Sequence, residues 1–399
     1  MSDDMDIEID GSESDNKVKS KKKKQAPITN LDELRSSINS VMGAGTIALG
    51  RGTIVNVDTF PTGIATIDKA CGCGGIPQGR IIELFGNESS GKTTTCIRLI
   101  AACQQHYFEK KKRHGVAAII DVEQAFDPEW ASKCGVNLDT LLFSQPDGGE
   151  AAFDILKKIV ASGLVDLVVV DSVANMVPIA EMESDIGDQQ IGAQARMMSK
   201  GLRSITGKAN KTKTTVIFIN QVRNKIGVAF GSPETTPGGK ALRFYSSMRM
   251  EIFKGGKLTE GDKVYGFRPK IRFVKNKCAP PFTTAEFDIC FGIPPRNVYG
   301  LDPVSGLVEV AESEKIITKN GNFYVYGDIK LGNGKANAIE FVRNSPQILN
   351  DLRDKIYGKL GKLAADVIVP DNTEIPSEID SSGLDDSILD DICNDDSPE

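Results

Sequence analysis

Histidine, tryptophan and long apolar runs are scarce in this chain. Its 399 residues include two histidines, one tryptophan and eight cysteines. Because histidines are so few, and because only Cys71 and Cys73 lie close together among the cysteines, no spacing typical of a zinc site can be assembled. No apolar stretch has the length of a membrane-spanning helix, and the first residues are acidic rather than signal-like. We therefore expect a cytoplasmic protein with reduced cysteines and no membrane partner.

Charge is unevenly distributed along the chain, whose formal net charge is −6. Residues 371–399 contain eleven acidic residues and no Lys or Arg, whereas residues 1–24 contain seven acidic residues and six lysines. Subtracting both segments leaves +6 for residues 25–370. A basic body with an acidic tail suggests a polyanion-binding surface for which the tail competes, whereas composition alone favours a solvated, disordered tail that aids solubility. The run Lys21–Lys24 is interpreted as a solvated arm, with a nucleic-acid contact or a nuclear address as the alternatives.

The clearest motif is Gly86-Asn87-Glu88-Ser89-Ser90-Gly91-Lys92-Thr93. It lies between an apolar run (80–85) and a segment with a helical pattern (94–106), which is the context that a phosphate-binding loop requires. Backbone N–H groups of the loop and of Thr94 are expected to bind phosphate oxygens, with Lys92 reaching the β- and γ-phosphates and the Thr93 hydroxyl holding Mg²⁺. The motif predicts that the protein binds a nucleoside triphosphate.

Strand and helix patterns alternate from about residue 59 to residue 293. We predict buried strands at 80–85, 116–121, 141–143, 164–171 and 214–220, and helices at 94–106, 127–134, 150–161 and 193–207. This alternation is typical of an α/β fold with a mainly parallel central sheet. Later strands at 247–253, 271–275 and 285–291 indicate an antiparallel extension, and 222–239 is predicted to be a long loop.

Composition divides the chain into five predicted segments. An acidic and lysine-rich disordered arm (1–28) precedes a helix and strand (29–58), the nucleotide-binding core (59–293), a small α/β C-terminal domain (294–370) and an acidic disordered tail (371–399). In the first helix Asn30 is the predicted N-cap. Its apolar stripe is expected to pack either on its own domain or on a neighbouring subunit.

Polar residues follow several of the predicted strands. Ligands gather at the carboxyl ends of strands in such sheets, so these residues are expected to surround the phosphate loop. Asp171 is suited to hold Mg²⁺ directly or through water, and Glu123 to orient or activate a water molecule near the γ-phosphate. Gln221 can hydrogen-bond the γ-phosphate. Each residue alone could equally cap a turn; together they predict a hydrolytic site.

Several stretches resemble the RecA recombinases of bacteria and phages. They are 85–93, 120–128, 144–150, 168–173, 219–227, 233–239 and 273–277, and the similarity covers about residues 30–370. The resemblance implies a P-loop NTPase core of the RecA type that binds ATP between subunits of a helical filament. It also implies a DNA-dependent ATPase that coats single-stranded DNA and catalyses pairing and strand exchange with homologous double-stranded DNA in recombination and repair.

The resemblance implies roles for four further residues near the nucleotide. Asp127 and Trp130 correspond to adenine contacts; for Trp130 a core anchor at a helix end is the alternative. Lys275 and Lys277 correspond to lysines that enter the active site of the neighbouring subunit. Two cations supplied in trans would act like an arginine finger, so that hydrolysis would depend on assembly.

Two segments, 181–192 and 222–239, correspond to the DNA-binding loops of the family. The residues that this correspondence assigns to DNA are Ile191, Arg196, Arg203, Arg223, Lys225, Ile226, Phe230, Gly238 and Gly239. Arginine and lysine bind phosphates without identifying bases, and an aliphatic wedge can separate stacked bases. Because Gln221 directly precedes the second loop, a γ-phosphate contact there is expected to order the loop.

Two other functions stay open on the sequence alone. One is a hexameric helicase-type motor built on the same core, which would unwind duplex DNA. The other is a DNA-coating filament or mediator in which ATP is only a switch. The presence of Glu123 argues against the second alternative.

Overall fold

The structure is a computed structural model that describes residues 28, 30–43, 46–47, 57–185, 192–224 and 234–366. The chain divides into two units, Met1–Val55 and Asn56–Glu399. Several predictions concern residues outside the described ranges: the lysine run, the acidic tail, and the DNA contacts of Ile191, Lys225, Ile226 and Phe230. These stay predictions.

The first unit contains helix α1, Leu31–Met42. Its N-cap is the predicted one, since the side chain of Asn30 accepts the N–H of Glu33 at 2.9 Å. None of its side chains is buried, and Leu31 and Val41 of the apolar stripe are 63% and 79% exposed. An isolated helix of this length is marginal in water, so α1 needs a packing partner for its stripe.

The second unit is built from ten α-helices and seventeen strands within the described residues. The helices are α2 (Ala65–Cys71), α3 (Lys92–Lys111), α4 (Pro128–Lys133), α5 (Gly149–Ser162), α6 (Ile179–Met182), α7 (Ala193–Thr212), α8 (Ala241–Tyr245), α9 (Pro303–Ser313), α10 (Lys335–Arg343) and α11 (Pro346–Asp366). The strands are β1 (Thr59–Phe60), β2 (Ile76–Pro77), β3 (Ile81–Gly86), β4 (Ala117–Asp121), β5 (Leu141–Ser144), β6 (Leu167–Asp171), β7 (Thr215–Gln221), β8 (Arg223–Asn224), β9 (Glu234–Thr235), β10 (Met248–Glu260), β11 (Lys263–Asn276), β12 (Thr284–Glu286), β13 (Ile289–Phe291), β14 (Tyr299–Leu301), β15 (Thr318–Asn320), β16 (Phe323–Tyr326) and β17 (Ile329–Asn333).

One large sheet organises this unit. Its strand order is β14-β13-β11-β10-β3-β7-β6-β4-β5, with β12 paired to β11. The strands from β10 to β5 along this order are parallel, whereas β11 to β14 pair antiparallel. The predicted α/β fold, with a mainly parallel sheet and an antiparallel extension, is confirmed.

Both faces of the parallel strands are covered. On one face Ile82 and Leu84 pack in a core with side chains of α3. On the other face Ile81 packs in a second core with Phe153 of α5 and Leu202 of α7. Strands buried on two faces are apolar at every position, which is why the run 167–170 contains no polar residue.

The antiparallel hairpin of β10 and β11 is longer than predicted. The expected strands ended at 253 and began at 271, but pairing continues to Glu260 opposite Lys263. The added segment is rich in glycine and charged residues and has no alternating apolar pattern, so backbone pairing rather than burial defines it. The predicted loop 222–239 likewise contains a two-residue ladder, in which Arg223 pairs with Thr235.

A separate apolar cluster lies between α9, α10, α11 and the small sheet of β15 to β17. It packs beside the core through α2, where Lys69 forms an ion pair of 2.6 Å with Glu314. The Tyr357 hydroxyl of α11 donates a 2.7 Å hydrogen bond to Asp68. The predicted boundary of a C-terminal domain at residue 294 stays a prediction.

Replacing Tyr357 by Phe is expected to lower the free energy of unfolding at pH 7 by about 1.5–3 kcal/mol, the usual range for a hydrogen bond to a charged group. Asp68 is fully buried, and burial raises its pKa to about 6 although Thr62 N–H, Tyr357 and Gly63 N–H all donate to it. Urea unfolding measures the loss. The matched control is Tyr326→Phe, which removes an exposed hydroxyl from Asp351 and should cost less than about 0.5 kcal/mol. Equal losses for the two variants would contradict the prediction.

Candidate nucleotide and DNA site

The phosphate-loop motif connects the end of β3 to the start of α3. Gly91 has a φ of 92°, and a Cβ there would lie 2.6 Å from Ile289 Cδ1, so a side chain is excluded at this position. No side chain caps the N-terminus of α3. Its first N–H groups are therefore available to an anion, which the helix dipole also favours.

The Lys92 ammonium group lies over the loop. Its Nζ donates to the carbonyl oxygens of Gly86 and Asn87 at 3.1 and 2.8 Å. Burial lowers the pKa of Lys92, and the nearby carboxylates of Asp171, Glu123 and Glu88 oppose that shift. The arrangement holds a cation among the backbone groups that a polyphosphate would contact.

Thr93 and Asp171 form the candidate magnesium site. The Thr93 hydroxyl donates to Asp171 Oδ2 at 2.7 Å, whereas the buried Asp171 Oδ1 has no partner among the described residues. Burial raises the pKa of Asp171 to about 6, and Glu123 and Asp121 add to the rise. A buried carboxylate oxygen is costly unless it is hydrogen-bonded or binds a cation. Because Mg²⁺ takes one or two protein ligands and completes its shell with water and phosphate, these residues fit it.

Glu123 is exposed on a short turn that other groups position. The backbone N–H groups of Val122 and Glu123 donate to the Asp171 carbonyl oxygen at 2.7 and 3.1 Å. The buried Asp121 carboxylate accepts from Phe126 N–H at 3.1 Å and from Gln145 Nε2 at 3.0 Å. Asp121 therefore holds the turn rather than a ligand. Gln145 could not be identified from the sequence, because it meets Asp121 only through the pairing of β4 with β5.

A cavity of about 180 Å³ lies between α3 and the sheet. Thr93, Glu123 and Asp171 line its polar part, and apolar residues that include Ile97 and Ile219 line the remainder. Such a volume has room for several water molecules. Water thus has space beside the carboxylate that was predicted to activate it.

Strand register brings the predicted hydrolytic residues together. Gly86 pairs with Gln221 across β3 and β7, and Asp121 pairs with Asp171 across β4 and β6. Because these strands are parallel, their carboxyl ends share one edge of the sheet. The phosphate loop, Asp171, Glu123 and Gln221 all lie at that edge.

Lys275 and Lys277 lie at the opposite edge. Lys275 of β11 pairs with Arg249 of β10, which in turn pairs with Glu83 of β3. Lys275 is therefore level with a residue that comes three positions before Gly86 in β3. Three residues of strand span about 10 Å. Lys275 Nζ donates to the carbonyl oxygens of Arg243 and Phe244 at 2.6 and 3.2 Å. The fold thus separates these two lysines from the phosphate loop of their own chain.

Asp127 and Trp130 lie at the start of α4. The Asp127 carboxylate accepts the Trp130 N–H at 3.0 Å and so caps the helix. The Trp130 ring is half-buried, packs against the core and meets Tyr299 edge-on at 6.0 Å. These contacts anchor the indole, and the adenine contact stays a prediction.

Gln194 connects the described ends of the two loops that are predicted to bind DNA. Its Oε1 accepts the N–H of Gly238 at 3.0 Å, and its Nε2 donates to the Val173 carbonyl at 2.9 Å. Gly239 packs against Ala195 in the first turn of α7. Gln194 was not identified from the sequence, since an amide at a helix start has no distinctive pattern.

The arginines assigned to DNA are exposed. Arg196 and Arg203 are seven residues apart on α7 and therefore lie on the same face, and Arg223 is exposed on β8. Exposed guanidinium groups on one face can bind phosphates in any base sequence. Their contact with DNA stays a prediction.

Asn220 connects the end of β7 to the second loop. Its Nδ2 donates to Glu83 Oε1 and to the Pro237 carbonyl, both at 3.1 Å, and its Oδ1 accepts the Gln221 N–H at 3.0 Å. A buried side chain therefore joins the predicted γ-phosphate sensor to the segment that precedes Gly238. Sequence reasoning assigned no role to Asn220.

Within the part of the chain that the structure describes, no helix is long and apolar enough to cross a membrane. The same residues contain no group of three or more His, Cys, Asp or Glu side chains arranged to hold a metal ion. A magnesium site of Thr93 and Asp171 does not need such a group, because phosphate and water supply the other ligands.

Comparison with known proteins gives matches along most of the chain. The model of the RecA N-terminal domain matches residues 29–294, and that of the RecA C-terminal domain matches residues 305–361. Protein RecA of Tropheryma whipplei (strain Twist) is 48% identical over 305 residues, 76% of this chain and 67% of the relative. Protein RecA of Clostridium acetobutylicum is 45% identical over 330 residues, 82% of this chain and 91% of the relative. Protein RecA of Thermus aquaticus is 46% identical over 335 residues, 84% of this chain and 95% of the relative.

Proposed function

The chain belongs to the RecA family and is a DNA-dependent ATPase of homologous recombination and DNA repair, and from this we propose that it hydrolyses ATP with Mg²⁺ between adjacent subunits of a filament on single-stranded DNA. The filament pairs the bound strand with homologous double-stranded DNA. The family membership confirms the resemblance that the motifs indicated. We further propose that the protein acts in the cytoplasm.

ATP binding rests on the loop and the start of α3. Backbone N–H groups among the residues from Gly86 to Thr94 bind phosphate oxygens, and the Lys92 ammonium exchanges two backbone carbonyls for the β- and γ-phosphates. Thr93 and Asp171 hold the magnesium ion, which when bound neutralises charge on the phosphates. Asp127 and Trp130 contact the adenine.

Glu123 and Gln221 act on the γ-phosphate. The Glu123 carboxylate, held at the sheet edge by backbone bonds to Asp171, accepts a proton from the attacking water. The Gln221 side-chain amide donates to the γ-phosphate and loses this contact after hydrolysis. Lys275 and Lys277 of the next subunit stabilise the negative charge that develops in the transition state.

The observation that carries the proposal is the position of these two lysines. Lys275 lies two strands away from β3, at a level about 10 Å from Gly86 along that strand, and Lys277 follows in the direction away from the loop. Two cations on this side of the sheet are better placed for the nucleotide of a neighbour than for that of their own chain. ATP hydrolysis by such a protein depends on assembly.

DNA affinity is coupled to the nucleotide through Asn220 and Gln194. A contact at Gln221 stabilises Asn220, which binds Pro237, while Gly238 is held by Gln194 at the end of the first loop. The γ-phosphate thereby favours one arrangement of both loops. Arg196, Arg203 and Arg223, with the remaining predicted contacts, then bind the DNA backbone without selecting a sequence.

Helix α1 also takes part in assembly by packing on the neighbouring subunit. Its exposed apolar stripe is suited to the neighbouring subunit, because a helix that buries no side chain gains stability from such a contact. We assign the acidic residues 371–399 to competition with DNA for the basic body of the protein.

Mixing the full-length protein with circular single-stranded DNA and homologous linear duplex tests the proposal. With ATP and Mg²⁺, joint molecules should form, and a heterologous duplex of equal length should give none. A helicase-type motor would unwind both duplexes equally. A filament that uses ATP only as a switch would pair DNA without DNA-stimulated phosphate release. Absence of any homology-dependent joint product would refute the recombinase function of this chain.

A further inference from the structure

Three cysteines from distant parts of the chain meet next to the lysine-bearing end of β11. Cys71 ends α2, Cys73 follows two residues later, and Cys278 follows Lys277. Cys73 Sγ lies 4.0 Å from Cys71 Sγ, and the backbone N–H of Cys278 donates to Asn276, whose side chain in turn donates to the Cys71 carbonyl. The three cysteines therefore lie on two segments that are in contact.

Only two of the three thiols are accessible. Cys71 is fully buried, donates to the Asp68 carbonyl at 3.0 Å and accepts the Gly75 N–H at 3.1 Å. Cys73 and Cys278 are both partly exposed. A small molecule in solution can therefore reach Cys73 and Cys278 but not Cys71.

The two accessible thiols differ in pKa. The nearby Cys73 thiol lowers the pKa of Cys278 against the opposing effect of burial, and the positive charge of Arg80 contributes. Cys278 in turn raises the pKa of Cys73. A lowered pKa increases the thiolate fraction of Cys278, which favours its oxidation and then disulfide formation with a neighbouring thiol.

The other described cysteines lack this chemistry. Burial raises the pKa of Cys96 and Cys103 well above the ordinary value, and that of Cys134 and Cys290 to about 11 and 12. Buried thiols with high pKa values are unreactive. Metal binding is not indicated for the three cysteines either, since the described residues offer no set of three ligands arranged for an ion.

The two segments that carry the pair are already in contact. Asn276 Nδ2 donates to the Cys71 carbonyl at 2.7 Å, and Asn276 Oδ1 accepts the Cys278 N–H at 2.9 Å. A Cβ added at Gly72 would lie 2.7 Å from Ala279 Cβ. Joining Cys73 to Cys278 would therefore need no large movement of either segment.

We propose that Cys73 and Cys278 are an oxidation site for hydrogen peroxide and that the product is an intramolecular disulfide. The Cys278 thiolate attacks one peroxide oxygen, the O–O bond breaks, and the departing hydroxide takes up a proton to become water. The Cys73 sulfur then displaces the hydroxyl group of the Cys278 sulfenic acid; the S–S bond forms and a second water molecule leaves with the Cys73 proton. Peroxide gains the two electrons that the two thiols lose, and a dithiol reductant reverses the change.

The disulfide bears on hydrolysis because Cys278 is adjacent to Lys277, a consequence that rests on the proposed function. Fixing residue 278 to the turn after α2 restricts the segment that carries the two lysines into the neighbouring site. Since misplacing a catalytic group by about 1 Å costs up to a factor of 10², oxidation is expected to lower DNA-dependent ATP hydrolysis about tenfold.

Peptide mapping by mass spectrometry, without reduction, tests the site on the full-length protein. After treatment with hydrogen peroxide, a peptide pair linked through Cys73 and Cys278 should appear and should vanish with dithiothreitol. The link should persist in Cys71→Ser and be absent from Cys73→Ser and Cys278→Ser. A Cys71–Cys73 link, a link between chains, or no link in the unsubstituted protein would overturn the proposal.

ATP hydrolysis is measured on the same samples with and without single-stranded DNA. A roughly tenfold loss that dithiothreitol restores, and that Cys73→Ser escapes, supports the connection to the lysines. A complete disulfide with unchanged hydrolysis would overturn that connection. Reduced protein without DNA-stimulated hydrolysis would instead contradict the proposed function, so the two failures are distinguishable.

Discussion

Replacing Lys92 by Ala is expected to abolish ATP-dependent binding to single-stranded DNA and to lower ATP hydrolysis by a factor of about 10² or more. The ammonium is the positive charge nearest to the loop carbonyls of Gly86 and Asn87, and the carboxylates around it are Asp171, Glu123 and Glu88. Without the cation, these carboxylates repel the triphosphate.

Steady-state hydrolysis and DNA binding, each with and without ATP, measure the effect of Lys92→Ala. The matched control is Lys111→Ala, which removes an exposed lysine at the other end of α3 and should leave both activities unchanged. Wild-type hydrolysis by Lys92→Ala would show that the nucleotide site has been wrongly assigned.

Mixing two inactive variants should restore activity. One variant is Lys92→Ala, and the other carries Lys275→Ala together with Lys277→Ala. In the proposed head-to-tail filament, each interface joins the phosphate loop of one subunit to the lysines of the next. In a random equimolar mixture, roughly a quarter of the interfaces combine an intact loop with intact lysines, so hydrolysis should recover to about that fraction of the wild-type rate.

The opposite result is expected if the lysines act within their own chain. If the lysines served the loop of their own chain, no subunit in the mixture would contain a complete site, and the mixture would stay inactive. The control for the lysine variant is Lys257→Ala with Lys263→Ala, at the distal end of the same hairpin, which should keep wild-type hydrolysis. Phosphate release on single-stranded DNA distinguishes all four samples.

The parts of the fold that burial defines could be predicted from the sequence. The run 167–170 is apolar because both faces of β6 are covered, and Gly91 is required by a left-handed backbone between a strand and a helix. The N-cap role of Asn30 could also be predicted, because its hydrogen-bond partner is only three residues away. In each case, local chemistry determines the structure.

The parts that depend on pairing between distant segments could not be predicted. The extension of β10 to Glu260 has no apolar alternation, and Gln145 acquires its partner only because β5 lies beside β4. Lys275 was assigned to a neighbouring site by resemblance, whereas its distance from Gly86 became evident only from the strand register. Local sequence contains none of this information.

The position of the two lysines within a subunit would determine the spacing of the nucleotides in the proposed filament. If the lysines of one subunit reach the nucleotide of the next, the spacing between successive nucleotides in a filament equals the distance from phosphate loop to lysines within one subunit. That distance is set by β3, β10 and β11, which are hydrogen-bonded into a single sheet with largely buried strands. The repeat of the filament, and hence the extension of the DNA inside it, is then determined by the register of three strands in the monomer.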